Sequence, residues 1–359
     1  MSEPIFIARQ DTLEQEILPA HWLAQYKLFG EESYTFQDKG IWKKLCMSRA
    51  AANDRDMHAE ALEEMLTTFS AEHTGKWMLL VYGMDAAALE GLATMAAIAA
   101  NGTAMGAIAD NALLMHAIAN SETAMQRIAN SQTAMQRVAN NRGAMDAIGR
   151  SRIARDAVQA SPYYNSYIKE NDMAIAKLVV GFANLESAGY SGCAGMAADS
   201  TAMTAVAASS TAMTAVAASG VALKAIAQAY KNTANMLQFL KAVNASDTLI
   251  KRIYNTLTNA TALFGTAQLG GQDSVADANK WATTSAAPNA FLACACGYYN
   301  SGGASVDVTY NGTAIAQNKT GTRQPGSVTS TNVNAITMAP STFTENGDGW
   351  LAVQKFTVK

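Results

Sequence analysis

Apolar and polar positions along the middle of the chain recur with a fixed period of ten. Ser121-Glu-Thr-Ala-Met-Gln-Arg-Ile-Ala-Asn130 is followed at once by Ser131-Gln-Thr-Ala-Met-Gln-Arg-Val-Ala-Asn140. In blocks of ten from Gly91, the fifth place holds Met95, Met105, Met115, Met125, Met135 and Met145. The eighth holds Ile98, Ile108, Ile118, Ile128, Val138 and Ile148, and Val158, Ile168 and Leu178 keep it after the methionine is gone. The frame then slips by eight residues and resumes at Asp199-Ser-Thr-Ala-Met-Thr-Ala-Val-Ala-Ala and Ser209-Ser-Thr-Ala-Met-Thr-Ala-Val-Ala-Ala, with a looser copy at Ser246–Asn255. A single long helix would rotate its apolar stripe by about 80° per ten residues, and a coiled coil would keep a period near seven or eleven. The helix is therefore expected to break in every block. Ala124, Met125, Ile128 and Ala129 share one face of a two-turn helix. Ser121 caps its start and Asn130 suits the turn that ends it. Helices that short are unstable alone in water, so they must be held by neighbouring blocks in a solenoid.

The pattern changes on either side of the array. Residues 1–85 carry Trp22, Trp42 and Trp77, most of the histidine and a dense mixture of charges. Asp11-Thr-Leu-Glu-Gln-Glu-Ile-Leu18 reads as a capped helix ending at Pro19, and His58–Leu66 as a second helix with Leu62, Met65 and Leu66 on one side. This segment is expected to be a mostly helical head for attachment or assembly. Residues 86–265 form the array. Within it, Tyr163, Tyr164 and Tyr167 replace small residues, and Gly181 to Gly192 breaks the phase; such departures mark a kink, a contact surface or a drifted repeat with larger packing residues. From about 266 to 359 the chain turns to Gly, Ser, Thr and Asn. There Asn311-Gly312, between the alternating segments Val306–Tyr310 and Thr313–Gln317, predicts a type I′ hairpin. Phe291–Tyr299 and Trp350–Val358 read as further strands of a small β-sandwich. The expected fold is multidomain α+β: helical head, solenoid-like array of short helices, and C-terminal β-sandwich.

Composition narrows the function classes. The 359 residues are 49% hydrophobic but only 8% aromatic, because alanine and methionine supply the apolar share. A net charge of −3 provides no basic field for nucleic acid. Met1-Ser-Glu-Pro lacks the pattern of a secretory signal, and the alanine-rich run around 86–100 contains Glu90, so no membrane insertion is expected. Four scattered cysteines make no disulfide framework.

No set of residues in the sequence converges on a recognisable chemistry. His58-Ala-Glu60 matches half of a zinc-deaminase signature, but Cys294-Ala-Cys296 has the wrong spacing for the other half. His116 occupies a sixth place where sister blocks hold Gly, Gln, Asp or Thr, and is expected to be a solvated side chain. The methionine ladder suits core packing better than soft-metal ligation. No phosphate loop or nucleophile elbow is present. No catalytic, cofactor-binding or metal residues are therefore assigned, and the chain is expected not to be an enzyme.

The decads at Ser209–Ser219 and their sister copies resemble those of tailed-bacteriophage virion proteins, in which Ala/Met-rich blocks of this kind recur in tail fibre, baseplate and collar components. The resemblance covers about half the chain, roughly 90–265. It implies a structural role in the virion, at the tail or neck, after synthesis in the host cytoplasm. It also implies other virion proteins as partners, a homo-oligomer, and a host surface receptor as a further candidate partner. The second reading is a cellular helical-repeat scaffold that binds a partner protein. Candidate interaction residues are Tyr163, Tyr164, Tyr167, Tyr298, Tyr299 and Asn311, because loops and aromatic departures on a scaffold are where recognition surfaces usually lie.

Overall fold

The computed structural model describes residues 92, 95–120, 122–273, 280–283, 289–298, 303–323, 327–338, 340–347 and 349–359. The head expected over residues 1–85 lies outside them. The described chain is α+β, with helices followed by strands in two sheets. It forms two compact units, Met1–Ile168 and Lys169–Lys359. A division at 168/169 thus cuts through the repeat array, and the strands belong to the same unit as the helices that precede them.

In the first unit the decads become helices α1 (Met95–Ala100), α2 (Gly102–Asp110), α3 (Ala112–Ala119), α4 (Glu122–Ala129), α5 (Gln132–Ala139), α6 (Arg142–Arg150), α7 (Arg152–Ala160) and the single turn α8 (Tyr164–Tyr167). The first place of each block is the extended cap. Ser131, Asn141 and Ser151 have β-region backbone, and their side chains accept from Ala134, Ala144 and Ala154 N–H. The fourth, fifth, eighth and ninth places are buried in block after block, as in Ala134, Met135, Val138 and Ala139. The small residues let helices approach, and the flexible methionines fill the gaps that remain.

The period of ten fixes the helix but leaves open which helices stack. Each packs on the helix three blocks away: α4 on α1 and α7, α5 on α2, and α6 on α3. One turn of the solenoid therefore takes three decads. A staple made by the cap residue repeats at each turn. Ser131 Oγ donates to Ala99 O at 2.6 Å, Ser161 Oγ to Ala129 O at 2.5 Å, and Ser151 Oγ to Ala119 O. A helix leaves its first N–H groups and last C=O groups without partners. One hydroxyl, able to donate and accept at once, satisfies one of each on two stacked helices.

The second unit continues the same logic with α9 (Asp172–Phe182), a 3₁₀ turn (Ser187–Gly189), α10 (Cys193–Ala198), α11 (Ser200–Ala208), α12 (Ser210–Ala218), α13 (Gly220–Gln228), α14 (Thr233–Asn244) and α15 (Asp247–Asn259). Helices α11 and α12 meet at 103°, the corner of the solenoid turn. Here α9 stacks on α12 and α12 on α15, while α10 meets α13 and α11 meets α14. The phase break is narrower than the Gly181–Gly192 span read from sequence. Gly181 lies inside α9, and the irregular stretch begins after Ala183, where Asn184 takes φ 57°. No single described helix is long and apolar enough to cross a membrane.

Strands β1 (Phe264–Asp273), β2 (Lys280–Thr283), β3 (Ala290–Tyr298), β4 (Ala304–Tyr310), β5 (Thr313–Thr320), β6 (Thr322–Arg323), β7 (Ala335–Met338), β8 (Ser341–Gly347) and β9 (Gly349–Val358) form two sheets. One runs β1-β9-β3-β6 with β7 also on β3; the other runs β2-β8-β4-β5. All pairings are antiparallel except the short β3–β6 pair. In β4, Ala304, Val306, Val308 and Tyr310 alternate inward, the pattern of a sheet with one face covered. In β3 every residue from Ala290 to Gly297 is buried, so that sheet is covered on both faces. One face meets the second sheet, where Cys296 Sγ reaches Lys319 O at 3.4 Å. The other meets helices: the Phe291 ring lies 6.3 Å from Phe239 of α14, and Phe356 stands edge-on to Tyr254 of α15 at 5.7 Å. Asn244, at the end of α14, acts as one more strand partner. Its Nδ2 donates to Ile336 O at 2.7 Å, and its Oδ1 accepts from Ile336 N–H at 3.1 Å.

Candidate functional surfaces

The tyrosine departure in the array is a surface feature. Helix α8 is one turn with no buried residue, and Tyr163, Tyr164 and Tyr167 are half-buried. The rings of Tyr163 and Tyr167 lie 6.5 Å apart, and Tyr167 OH accepts from Gln132 Nε2 of α5 at 2.8 Å. Ile168 alone keeps its core place. The larger residues thus do not repack the interior. Between α4 and α7 a surface cavity of about 410 Å³ is lined by Glu122, Gln126, Arg152, Ile153 and Asp156. Ile153 is 38% exposed, at a third place where Thr103, Thr123 and Thr133 stand in sister blocks.

At the β end, Asn311 (φ 50°) and Gly312 (φ 77°) both take positive φ between the paired Tyr310 and Thr313, as a type I′ turn requires. Asn311 is exposed, yet its Nδ2 sits 3.4 Å from Thr233 Oγ1 at the start of α14 and its N–H donates to Pro340 O. Tyr298, half-buried, ends β3; Tyr299 lies outside the described residues. The structure brings Tyr163, Tyr164 and Tyr167 together on one turn, and places Tyr298 at the end of β3 in one sheet and Asn311 in the β4–β5 turn of the other.

Polar groups inside the units serve the fold. His116 is not the solvated side chain expected: it is half-buried, with Nε2 3.2 Å from Asn120 Nδ2. Arg155 stands at a fifth place, where methionine is the rule, and is 7% exposed. Its Nη1 donates to Gly149 O at 2.7 Å, and burial pulls the guanidinium below its usual value. Lys177 is fully buried beneath the irregular stretch and donates to Ser187 O at 3.1 Å. Burial also pushes the Cys193 thiol up, with Asp172 adding to it, and pushes up Cys294. Thiols so held are protonated, and a nucleophile or ligand would be the thiolate. Among the described residues no group of three His, Cys, Asp or Glu is placed to hold a metal ion. Near Cys193, Tyr190 OH donates to Asp199 Oδ2 at 2.8 Å, which together with burial pushes the phenol up to about 12.

A groove of about 900 Å³ in the second unit was missed by the sequence reading. Lys169 and Glu170 form one wall, and Thr248, Lys251, Arg252, Asn255 and Asn259 of α15 the other. Its floor holds Ala218, Val221, Ala260 and Leu263. Glu170 accepts from Gly220 N–H at 3.2 Å and Val221 N–H at 3.1 Å, so its carboxylate closes the start of α13. Gly220 packs closely there: a Cβ would lie 3.0 Å from side-chain atoms of both Ala260 and Leu263, which would have to give way. The sequence signal was the spacing of Thr248, Lys251, Arg252, Asn255 and Asn259 along one helical face. Comparison with protein-family models and with curated proteins returns no match.

Proposed function

We propose that the chain is a structural component of a tailed-phage particle, a spacer of tail fibre, baseplate or collar type that joins a docking end to a β-rich end. The observation that carries this reading is the way the array uses its polar groups. Cap hydroxyls such as Ser131, Ser151 and Ser161 are committed to the turn above, and the places between them are closed by Ala, Met and Ile. An array built so holds a fixed spacing from block to block, which suits a scaffold. The Ala/Met decads that resemble those of phage virion proteins support the same reading. A host receptor or a neighbouring virion protein is the proposed partner of the β-rich end.

The test is electron microscopy of purified particles that carry a copy tagged at Lys359, decorated with gold against the tag. Gold at a fixed place on the neck or tail is expected. Particles without label, with the tagged chain recovered as a soluble monomer from the host, would overturn the reading.

A further inference from the structure

We propose that the groove between Lys169 and α15 is a docking site for an acidic amphipathic segment of a second copy of this chain, residues Asp11–Leu18. The inference stands apart from the virion reading, since it concerns only how copies hold one another.

The groove has a particular chemical profile. Its floor is aliphatic, and a cation stands on each wall: Lys169 on one side, Lys251 and Arg252 on the other. Lys251 and Arg252 are exposed, and neither has an ionic partner among the described residues. The single carboxylate, Glu170, has its oxygens turned to the Gly220 and Val221 N–H groups, with Lys169 Nζ 3.9 Å away. Three cations over an apolar strip, against one committed anion, call for an occupant with carboxylates flanking aliphatic side chains. No aromatic ring lines the groove, so a sugar would lack a stacking platform. A phosphate chain would leave the aliphatic floor uncovered.

The sequence contains such an occupant. At about 100° per residue, Leu13 and Ile17 fall on one stripe of a helix, with Glu14 and Glu16 about 80° to either side. Eight residues span about 12 Å, a length suited to the wall from Thr248 to Asn259. Carboxylates on both flanks match cations on both walls. The other acidic helix read from sequence, His58–Leu66, is the rival: it sets Glu60 and Glu64 opposite Leu62, Met65 and Leu66, which suits a solvated face. Apolar anchors between flanking charges are a common form of helix-in-groove recognition, in which apolar contact gives affinity and charge gives register.

The test uses the full chain with Cys46→Ser. One population carries Ile17→Cys, on the stripe that faces the floor, and a second Ala262→Cys, and the two are mixed under mild oxidation. A disulfide-linked dimer joining the two populations is expected. Lys251→Glu with Arg252→Glu in the second population should reduce its yield about tenfold, as like charges replace attraction and screening limits the effect. Adding Glu14→Lys with Glu16→Lys to the first population should restore it. Circular dichroism should be unchanged throughout, since the altered groove residues are exposed. The proposal is overturned by absence of the dimer, by a yield indifferent to the charge changes, or by loss without restoration in the swapped pair. It is also overturned if Met65→Cys forms the cross-link in place of Ile17→Cys, or if a chain carrying both cysteines closes only on itself at monomer mass.

Discussion

Single residues show where the repeat holds its strength. Ser151 satisfies Ala154 N–H of its own helix and Ala119 O of the helix a turn away. Alanine there removes a cap and leaves a buried carbonyl short of its partner, so Ser151→Ala should cost about 1–3 kcal/mol. Gln126→Asp, at an exposed sixth place, should be nearly silent in the same thermal melts. Equal shifts at the two sites would dismiss the staple. Tyr190 gives a test in pH. Its folded value of about 12 stands above the ordinary 10.0, chiefly through burial and then through Asp199. A group raised on folding contributes stability that is intact below its unfolded value and is lost as pH rises through the folded one. Denaturant midpoints should therefore fall between about pH 10 and pH 12, and Tyr190→Phe should remove part of that fall. The remainder belongs to Tyr254, Tyr310 and the Cys193 and Cys294 thiols, which burial also raises. Asp199, held low by the Tyr190 hydroxyl, adds stability above the ordinary carboxylate range that is lost in acid. The capping role of the first place was legible in sequence, because serine before an apolar helical stripe has one local use. Its second bond was not, because the acceptor lies 32 residues back and no local pattern marks it. Arg155 was hidden for a similar reason: an arginine at a methionine place reads as drift until Gly149 O is seen beside it.

At the scale of elements, the decad states its own phase. The second place is the first helical residue, where the N–H has no helical partner in any case, whereas the eighth lies in the last turn and donates its N–H within the helix. Proline at Gln132, after the Ser131 cap, should be tolerated. Proline at Val138 should cost ~3 kcal/mol or more, since it removes an in-helix donor and clashes with the preceding turn. Melting curves of the two variants decide it; a worse result at position 132 would mean that α5 begins later than Gln132. The same register survives where the spacing of ten is lost. Counting the cap as first, α14 puts Met236 at the fifth place and Phe239 at the eighth after Asn232, and α15 puts Ile250 and Ile253 there after Ser246. The Asn232 block went unread because its cap does not fall ten residues after Ser219, the cap before it, and it carries no Ser/Thr-Ala-Met signature. The Asn311–Gly312 hairpin was fully legible, since its two-residue turn is specified by residues that tolerate positive φ. What β3 packs against was not read, although its signal was present. An unbroken apolar run from Ala290 to Cys296 is the mark of a strand covered on both faces, and the alternation in β4 marks a strand covered on one.

At the scale of the whole molecule, the question is whether the strands are an appendage or part of the helical fold. Sequence alone favours an appendage, because a solenoid is stabilised locally by its neighbours and the composition changes abruptly near Gly265. The structure argues the other way for the second unit. Phe239 of α14 and Tyr254 of α15 have Phe291 and Phe356 as ring partners, and the Asn244 amide pairs with both backbone groups of Ile336. Tyr254 OH also donates to Val328 O at 2.7 Å. In a chain cut after Leu263, these groups face water. Uncovering Phe239 alone would cost roughly 1.5–3 kcal/mol, a large share of the stability of an ordinary domain. The cut chain should therefore lose the helicity of α14 and α15, bind a hydrophobic dye, and melt in a broadened transition at lower temperature. Helices α2 to α7 belong to the other compact unit and make their buried contacts with one another. They should keep their circular dichroism signal. Full retention of helicity with an unchanged melt would return the strands to the status of an appended module. Complete collapse would show instead that both units unfold as one.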